Sequence, residues 1–140
     1  MKSRERGFQL LELMLVCALI AVGATLGAGA WYEWLGHHRL HNAAVGLSAF
    51  LQGVRVSAMS RNAAIQVQVQ GDRYAMALRG SDAVVWRRFP NGVQAVQVPQ
   101  RPVTFFSRGN AAPAGSFVLQ NQSGQVRVIV SPAGRVRREE

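Results

Sequence analysis

An α+β fold is predicted, one long N-terminal helix followed by antiparallel strands, and two patterns in the sequence predict it. Uncharged apolar residues run from Leu13 to Ala30, and apolar positions then recur every three or four residues as far as Ala58. That is the period of a helix with one buried face. After Asn62 the period switches to two, with Ile65, Val67 and Val69 alternating with Gln66, Gln68 and Gln70, as in a half-buried strand. A helix followed by a run of strands packs as α+β, with the strands covering the second half of the helix.

The first half of the helix has the length of a membrane span. Phe8 to Ala30 is 23 residues, about 34 Å at roughly 1.5 Å per residue. Lys2, Arg4 and Arg6 precede it, so the positive-inside rule places that end in the cytoplasm and everything after Trp31 outside. Trp31, Tyr32 and Trp34 then sit where amphipathic rings prefer to be, at the far interface. A secretory signal has a shorter apolar region followed by a small-residue cleavage site; here the small residue, Gly7, comes first. Glu12 lies at the mouth of the span, where hydrocarbon neither solvates nor screens a carboxylate, so it is a functional residue unless the segment is a plain signal anchor. Gly23 and Gly27 form a Gly-xxx-Gly pair, read either as a close helix-packing face or as a soft point.

From Gly36 the helix continues, because Leu40, Ala44, Leu47, Leu51, Val54 and Ala58 share one face, and it is expected to end near Arg61-Asn62. The first strand then turns at Gly71-Asp72 into Tyr74, Met76 and Leu78 as a hairpin. Further strands are expected over Ala83–Phe89, Val93–Val98, Val103–Phe106, Ser116–Gln120 and Gln125–Ser131, separated by Gly- and Pro-containing turns and a loop from Ser107 to Gly115. About 100 residues lie beyond the membrane span, one domain with a modest core. The lone Cys17 is inside the apolar helix, so no intrachain disulfide supports the exported part.

Catalytic constellations are missing, and no cofactor is implied. There is no phosphate-cradling Gly-rich loop with a lysine and no exported cysteine nucleophile; after Glu33 the carboxylates are Asp72, Asp82, Glu139 and Glu140. An enzyme is not expected. His37 and His41 are one helical turn apart, but no neighbouring carboxylate or cysteine completes a ligand set, so His37, His38 and His41 read as a solvated face rather than a metal site.

Charge is the second informative feature. The chain carries a net charge of +9, or +7 without residues 1–7, and all 13 basic residues after Gly7 are arginine. Arginine's planar fork binds phosphate in bidentate fashion, which suits a nucleic-acid partner. Genomic composition also favours arginine, so position matters more. The chain closes Ser131-Pro132-Ala133-Gly134-Arg135-Val136-Arg137-Arg138 before Glu139 and Glu140, a turn followed by a basic tail. In an extended segment Arg135 and Arg137 point the same way, about 6.6 Å apart, a spacing that can engage neighbouring phosphates. The plain alternative is a solvated, solubilising C-terminus.

At its N-terminus the chain resembles the type IV pilins and type II secretion pseudopilins: a short basic leader, Gly7 as its last residue, Phe8 as the new N-terminus and Glu12 fifth after it. The resemblance implies cleavage between Gly7 and Phe8 by a prepilin peptidase and methylation of the Phe8 amine. It also implies that Glu12 pairs with a neighbouring subunit's N-terminal amine during assembly, which is physically sound because a buried charge is tolerable when an opposite charge meets it. Gly134-Arg135-Val136-Arg137 resembles the Gly-Arg-x-Arg tail of the FimT/GspH-type minor pilins. In the FimT branch that tail binds DNA for natural transformation, a role that falls here on Arg135 and Arg137, with Arg138 beside them. The implied organisation is a leader over residues 1–7, a membrane and assembly helix over 8–36 and a globular domain over 37–140. The implied partners are other major and minor pilins, the peptidase, the inner membrane and the phosphate backbone of DNA without sequence preference. The protein would be a single-pass inner-membrane protein with a periplasmic C-terminal domain, and then part of a pilus. The alternative is a structural minor pilin or a type II secretion pseudopilin that primes or caps a fibre without binding DNA.

Overall fold

Helix α1 (Ser3–Ser60) ends in a hydrogen-bonded cap that the sequence announces. Asn62 takes a left-handed conformation, φ 49°, its N–H donates to the Met59 carbonyl (3.4 Å), and the Ala63 N–H donates to the Ala58 carbonyl (3.1 Å). These are the two bonds of a Schellman motif, which asparagine can close because it tolerates the left-handed region. The computed structural model describes residues 3–81 and 84–139. The chain forms two compact units, Met1–Leu35 and Gly36–Glu140.

Among its described residues the first unit is helix alone. Its large apolar side chains stand exposed, among them Leu10, Leu13, Met14, Leu19, Ile20 and Leu26, and the helix is long and apolar enough to cross a membrane. Such a surface is stable in hydrocarbon or against other chains, not in water. Cys17 is exposed on it as a free thiol. The Trp31 and Trp34 rings lie with centroids 5.5 Å apart.

The second unit begins with the remainder of α1. All six residues expected on its buried face, Leu40, Ala44, Leu47, Leu51, Val54 and Ala58, are at most 3% exposed, and Ala43 joins them. Among the described residues nine strands follow: β1 (Ile65–Gln70), β2 (Arg73–Leu78), β3 (Val85–Arg88), β4 (Gln94–Gln97), β5 (Val103–Phe105), β6 (Ala111–Ala112), β7 (Gly115–Asn121), β8 (Gly124–Val130) and β9 (Val136–Glu139). They make two antiparallel sheets, ordered β3-β2-β1-β5-β6 and β4-β7-β8-β9. Both sheets contribute to one core with the helix: Ile65, Val67, Val69 and Phe105 from the first, and Phe117, Leu119, Val126, Val128 and Val130 from the second. Asn121, the last residue of β7, ties that core to the helix by donating from Nδ2 to the Gly36 carbonyl (2.6 Å).

Three details add to or differ from the sequence reading. The strands divide between two sheets, a division the sequence reading left open, because β5 adds to β1 while β4 adds to β7, long-range pairings that local patterns do not encode. The Ser107–Gly115 loop contains the short strand β6, paired through Thr104↔Ala112 and Phe105↔Ala111. The basic tail is no free end: β9 pairs with β8 along Val130↔Val136, Ile129↔Arg137, Val128↔Arg138 and Arg127↔Glu139. Ala83, expected in the third strand, lies outside the described residues.

Candidate nucleic-acid interface at the C-terminal strand

The arginines of the tail are set by a hairpin whose turn is written in Ser131-Pro132-Ala133-Gly134. The Gly134 N–H donates to the Ser131 carbonyl (2.9 Å) and the Ser131 N–H donates to the Arg135 carbonyl (2.9 Å). The Ser131 hydroxyl also accepts the Arg135 N–H (3.1 Å). Gly134 has φ 74°, so the loop reads as a tight turn with serine first and proline second, closed by a left-handed glycine. Strand alternation then decides which way each arginine points. Val128 and Val130 face the core, so their partners Val136 and Arg138 lie on the core-facing side. Arg137 and Glu139 take the outer face, and Arg135, two residues before Arg137, begins on that same face. Register thus turns Arg138 to the other side of the strand from Arg137, although all three arginines are exposed and both Arg137 and Arg138 border a groove against α1 with His41, Ser48 and Gln52.

Sequence reasoning missed one residue of this outer face. Arg127 in β8 is exposed, opposite Glu139 and two positions along from Ile129↔Arg137. Diagonal neighbours across antiparallel strands are about 7–8 Å apart, which puts Arg127 within reach of the same ligand as Arg137. The signal was available, since Val126-Arg127-Val128 alternates. Glu139 stands between these arginines and offsets part of their charge.

A buried clamp holds the hairpin. Arg55, half-buried on α1, donates from Nε to the Gly109 carbonyl (2.8 Å), and that same carbonyl oxygen is where a Cβ on Gly134 would fall. Both glycines are buried with positive φ, 80° at Gly109 and 74° at Gly134. Ala111 N–H adds a backbone bond to the Pro132 carbonyl (3.0 Å). Glycine in the tail motif therefore serves backbone contact, and only the arginines are left to meet a ligand. Arg108 and Arg135 are each the sequence neighbour of a clamped glycine, so the clamp brings those two exposed arginines to one tip of the unit.

The remaining expected sites fall elsewhere. Glu12 is exposed on the first unit's helix. The expected cleavage point between Gly7 and Phe8, with the Phe8 side chain, lies outside the residues whose surroundings the structure describes. His37, His38 and His41 are exposed, and among the described residues no group of three or more potential ligands could hold a metal. Arg87 and Arg88 diverge as strand neighbours should: Arg87 lies over the Phe50 ring (5.8 Å), whereas Arg88 Nε is 3.9 Å from Asp72 Oδ2.

The fold has relatives. It is similar to the type IV minor pilin FimU of Pseudomonas aeruginosa strain PAO1 in two crystal forms. One gives TM-score 0.63 at 22% identity, covering 76% of this chain and 92% of that one; the other gives TM-score 0.58 at 25% identity, covering 72% and 93%. It is also similar to the minor pseudopilin EpsH of the type II secretion system of Vibrio cholerae, with TM-score 0.57 at 12% identity over 72% of this chain and 96% of that one. No curated protein matches it in sequence at a significant level. The family described as type II transport protein GspH matches residues 43–134, from the buried helix face to the clamped glycine. With a long N-terminal helix packed on antiparallel sheets as in these minor pilins, the chain belongs to the GspH family of minor pilins and pseudopilins.

Proposed function

We propose that this protein is a minor type IV pilin that captures DNA on the outer face of its C-terminal strand for uptake in natural transformation. The observation that carries the reading is a clamped edge strand with Arg137 on its outer face, Arg135 at the turn residue that leads into it, and Arg127 beside Arg137 on the neighbouring strand. Among the described residues the tail offers a strand and no helix to enter a groove, so the arginines meet phosphates, and binding is electrostatic and indifferent to sequence. Arg138, on the other side of the strand, makes a lesser contribution. The protein sits in the inner membrane by its first helix, with the Gly36–Glu140 unit in the periplasm, loses residues 1–7 to the prepilin peptidase, and joins other pilins through Glu12 and the methylated Phe8 amine.

The test is binding of full-length chain in nonionic detergent to two duplexes of unrelated sequence. Equal affinity for both, lost as salt rises, is expected; no binding at low salt refutes the DNA reading. The similarity to FimU and EpsH favours a second reading in that event, a structural minor pilin or a secretion pseudopilin that primes or caps a fibre.

A further inference from the structure

The outer face of the first sheet carries an arrangement that neither the core nor the tail explains. In the β2–β3 pair, Arg73 is directly opposite Arg88, and Ala75 is directly opposite Trp86. These four share one face, because their strand neighbours Tyr74 and Arg87 point the other way: Tyr74 meets Phe50 of α1 edge to face (4.8 Å between centroids) and Arg87 lies over the same ring. The Arg73 guanidinium lies over the Trp86 indole, 5.1 Å from its centroid. Beyond them, Ala75 and Ala77 form a low, buried floor, and Gln66, Gln68 and Gln70 of β1 line its far side through the pairs Gln66↔Ala77, Gln68↔Ala75 and Gln70↔Arg73.

Two like charges placed opposite each other across an antiparallel pair repel. Among the described residues the carboxylate that offsets them is Asp72, at 3.9 Å from Arg88 with both side chains largely exposed, and an exposed ion pair of that length is weak. An anion bridging the two guanidinium groups would relieve the repulsion. The neighbouring ring adds a second requirement, for a flat group that stacks. Phosphate and a stackable base occur together in nucleic acid, and the base is free to stack only in a single strand.

We propose that this face is a second DNA contact, at which Arg73 and Arg88 hold phosphates of a single strand while the Trp86–Arg73 stack receives an unpaired base. This rests on the proposal that the protein binds DNA, and it names the form of DNA that the protein holds.

Trp86 can report on itself. Trp31→Phe and Trp34→Phe in the full-length chain leave it as the sole tryptophan of three. In detergent, single-stranded oligodeoxythymidine is expected to quench its fluorescence, while an abasic strand of the same length and a duplex bind by anisotropy without quenching. Arg73→Gln with Arg88→Gln is expected to weaken single-strand binding at least about fivefold and to flatten the salt dependence by up to about 1.4, two contacts at roughly 0.7 each. Trp86→Phe, which keeps a ring and the fold, is expected to retain most of the affinity. Single strands bound with no change in Trp86 emission, or bound equally well by the Arg73/Arg88 variant, would overturn this inference and leave the tail reading standing. Quenching that persists, at undiminished affinity, in Arg135→Gln with Arg137→Gln would uphold it and remove the tail reading. If parent chain binds no DNA of any form, both fall.

Discussion

Gly134→Ala is expected to be among the costliest single-methyl changes in the molecule. The added Cβ has two separate effects. It places a non-glycine residue at φ 74°, which costs about 1–2 kcal/mol. It also falls on the Gly109 carbonyl oxygen, a backbone atom that accepts the 2.8 Å bond from Arg55 Nε. Moving that carbonyl sacrifices a charge-assisted hydrogen bond, about 1.5–3 kcal/mol. The sum is roughly 2.5–5 kcal/mol, and a unit of this size loses roughly 4–8 °C of melting temperature per kcal/mol. Gly71→Ala is the control: φ is 54° there, but a Cβ would meet nothing within 4 Å, so only the conformational part, about 1–2 kcal/mol, applies. The small gain from a less flexible unfolded chain is common to both. Thermal unfolding of full-length chain in detergent, followed by near-ultraviolet circular dichroism, measures the difference. Arg55→Met should cost less in the Gly134→Ala background than alone, because one bond cannot be lost twice. Equal melting temperatures for Gly134→Ala and Gly71→Ala would refute the clamp.

Other expectations concern processing, assembly and the extended basic face. Mass spectrometry of membrane-extracted protein should find Phe8 as a methylated N-terminus; an intact leader, or cleavage beyond Ala30, contradicts the pilin processing route. Glu12→Ala should insert into membrane normally, since it removes a charge from an apolar helix, yet fail to enter fibres beside partner pilins; normal recovery in sheared pili would show the carboxylate to be incidental. Arg127→Gln should weaken duplex binding about as much as loss of one phosphate contact, flattening the salt dependence by about 0.9, whereas Arg87→Gln, on the opposite side of its sheet, should leave DNA binding unchanged; equal losses from both would mean that net charge alone governs binding.

Much of this architecture was legible because it depends on local period. The helix face from Leu40 to Ala58 is buried as its spacing requires, and Ile65, Val67 and Val69 are buried while their glutamine neighbours are not. The tail was legible only in part. Ser131-Pro132-Ala133-Gly134 carries the turn, but the strand after it, Val136-Arg137-Arg138-Glu139, has one apolar residue and no alternation of its own. It is a strand because Val128 and Val130 offer it an edge next to the core. β6 is two alanine residues, with no pattern to read. Arg55 resembles any solvated helix arginine until the fold brings Gly109 to it across 54 residues, and the repelling pair Arg73 and Arg88 exists only once the hairpin register is known.

The central claim is that Arg135 and Arg137 contact phosphates, and salt dependence tests it most directly because it counts contacts independently of absolute affinity. Duplex binding by full-length chain in detergent should be measured from low to moderate salt for the parent and for Arg135→Gln with Arg137→Gln. The variant should bind more weakly to unrelated sequences alike, with the slope of log K against log salt shallower by up to about 1.8, two contacts at roughly 0.9 each, and with an unchanged circular dichroism spectrum. An equal affinity and an unaltered slope would mean that the clamped strand is a structural edge of the pilin and not its DNA-binding face.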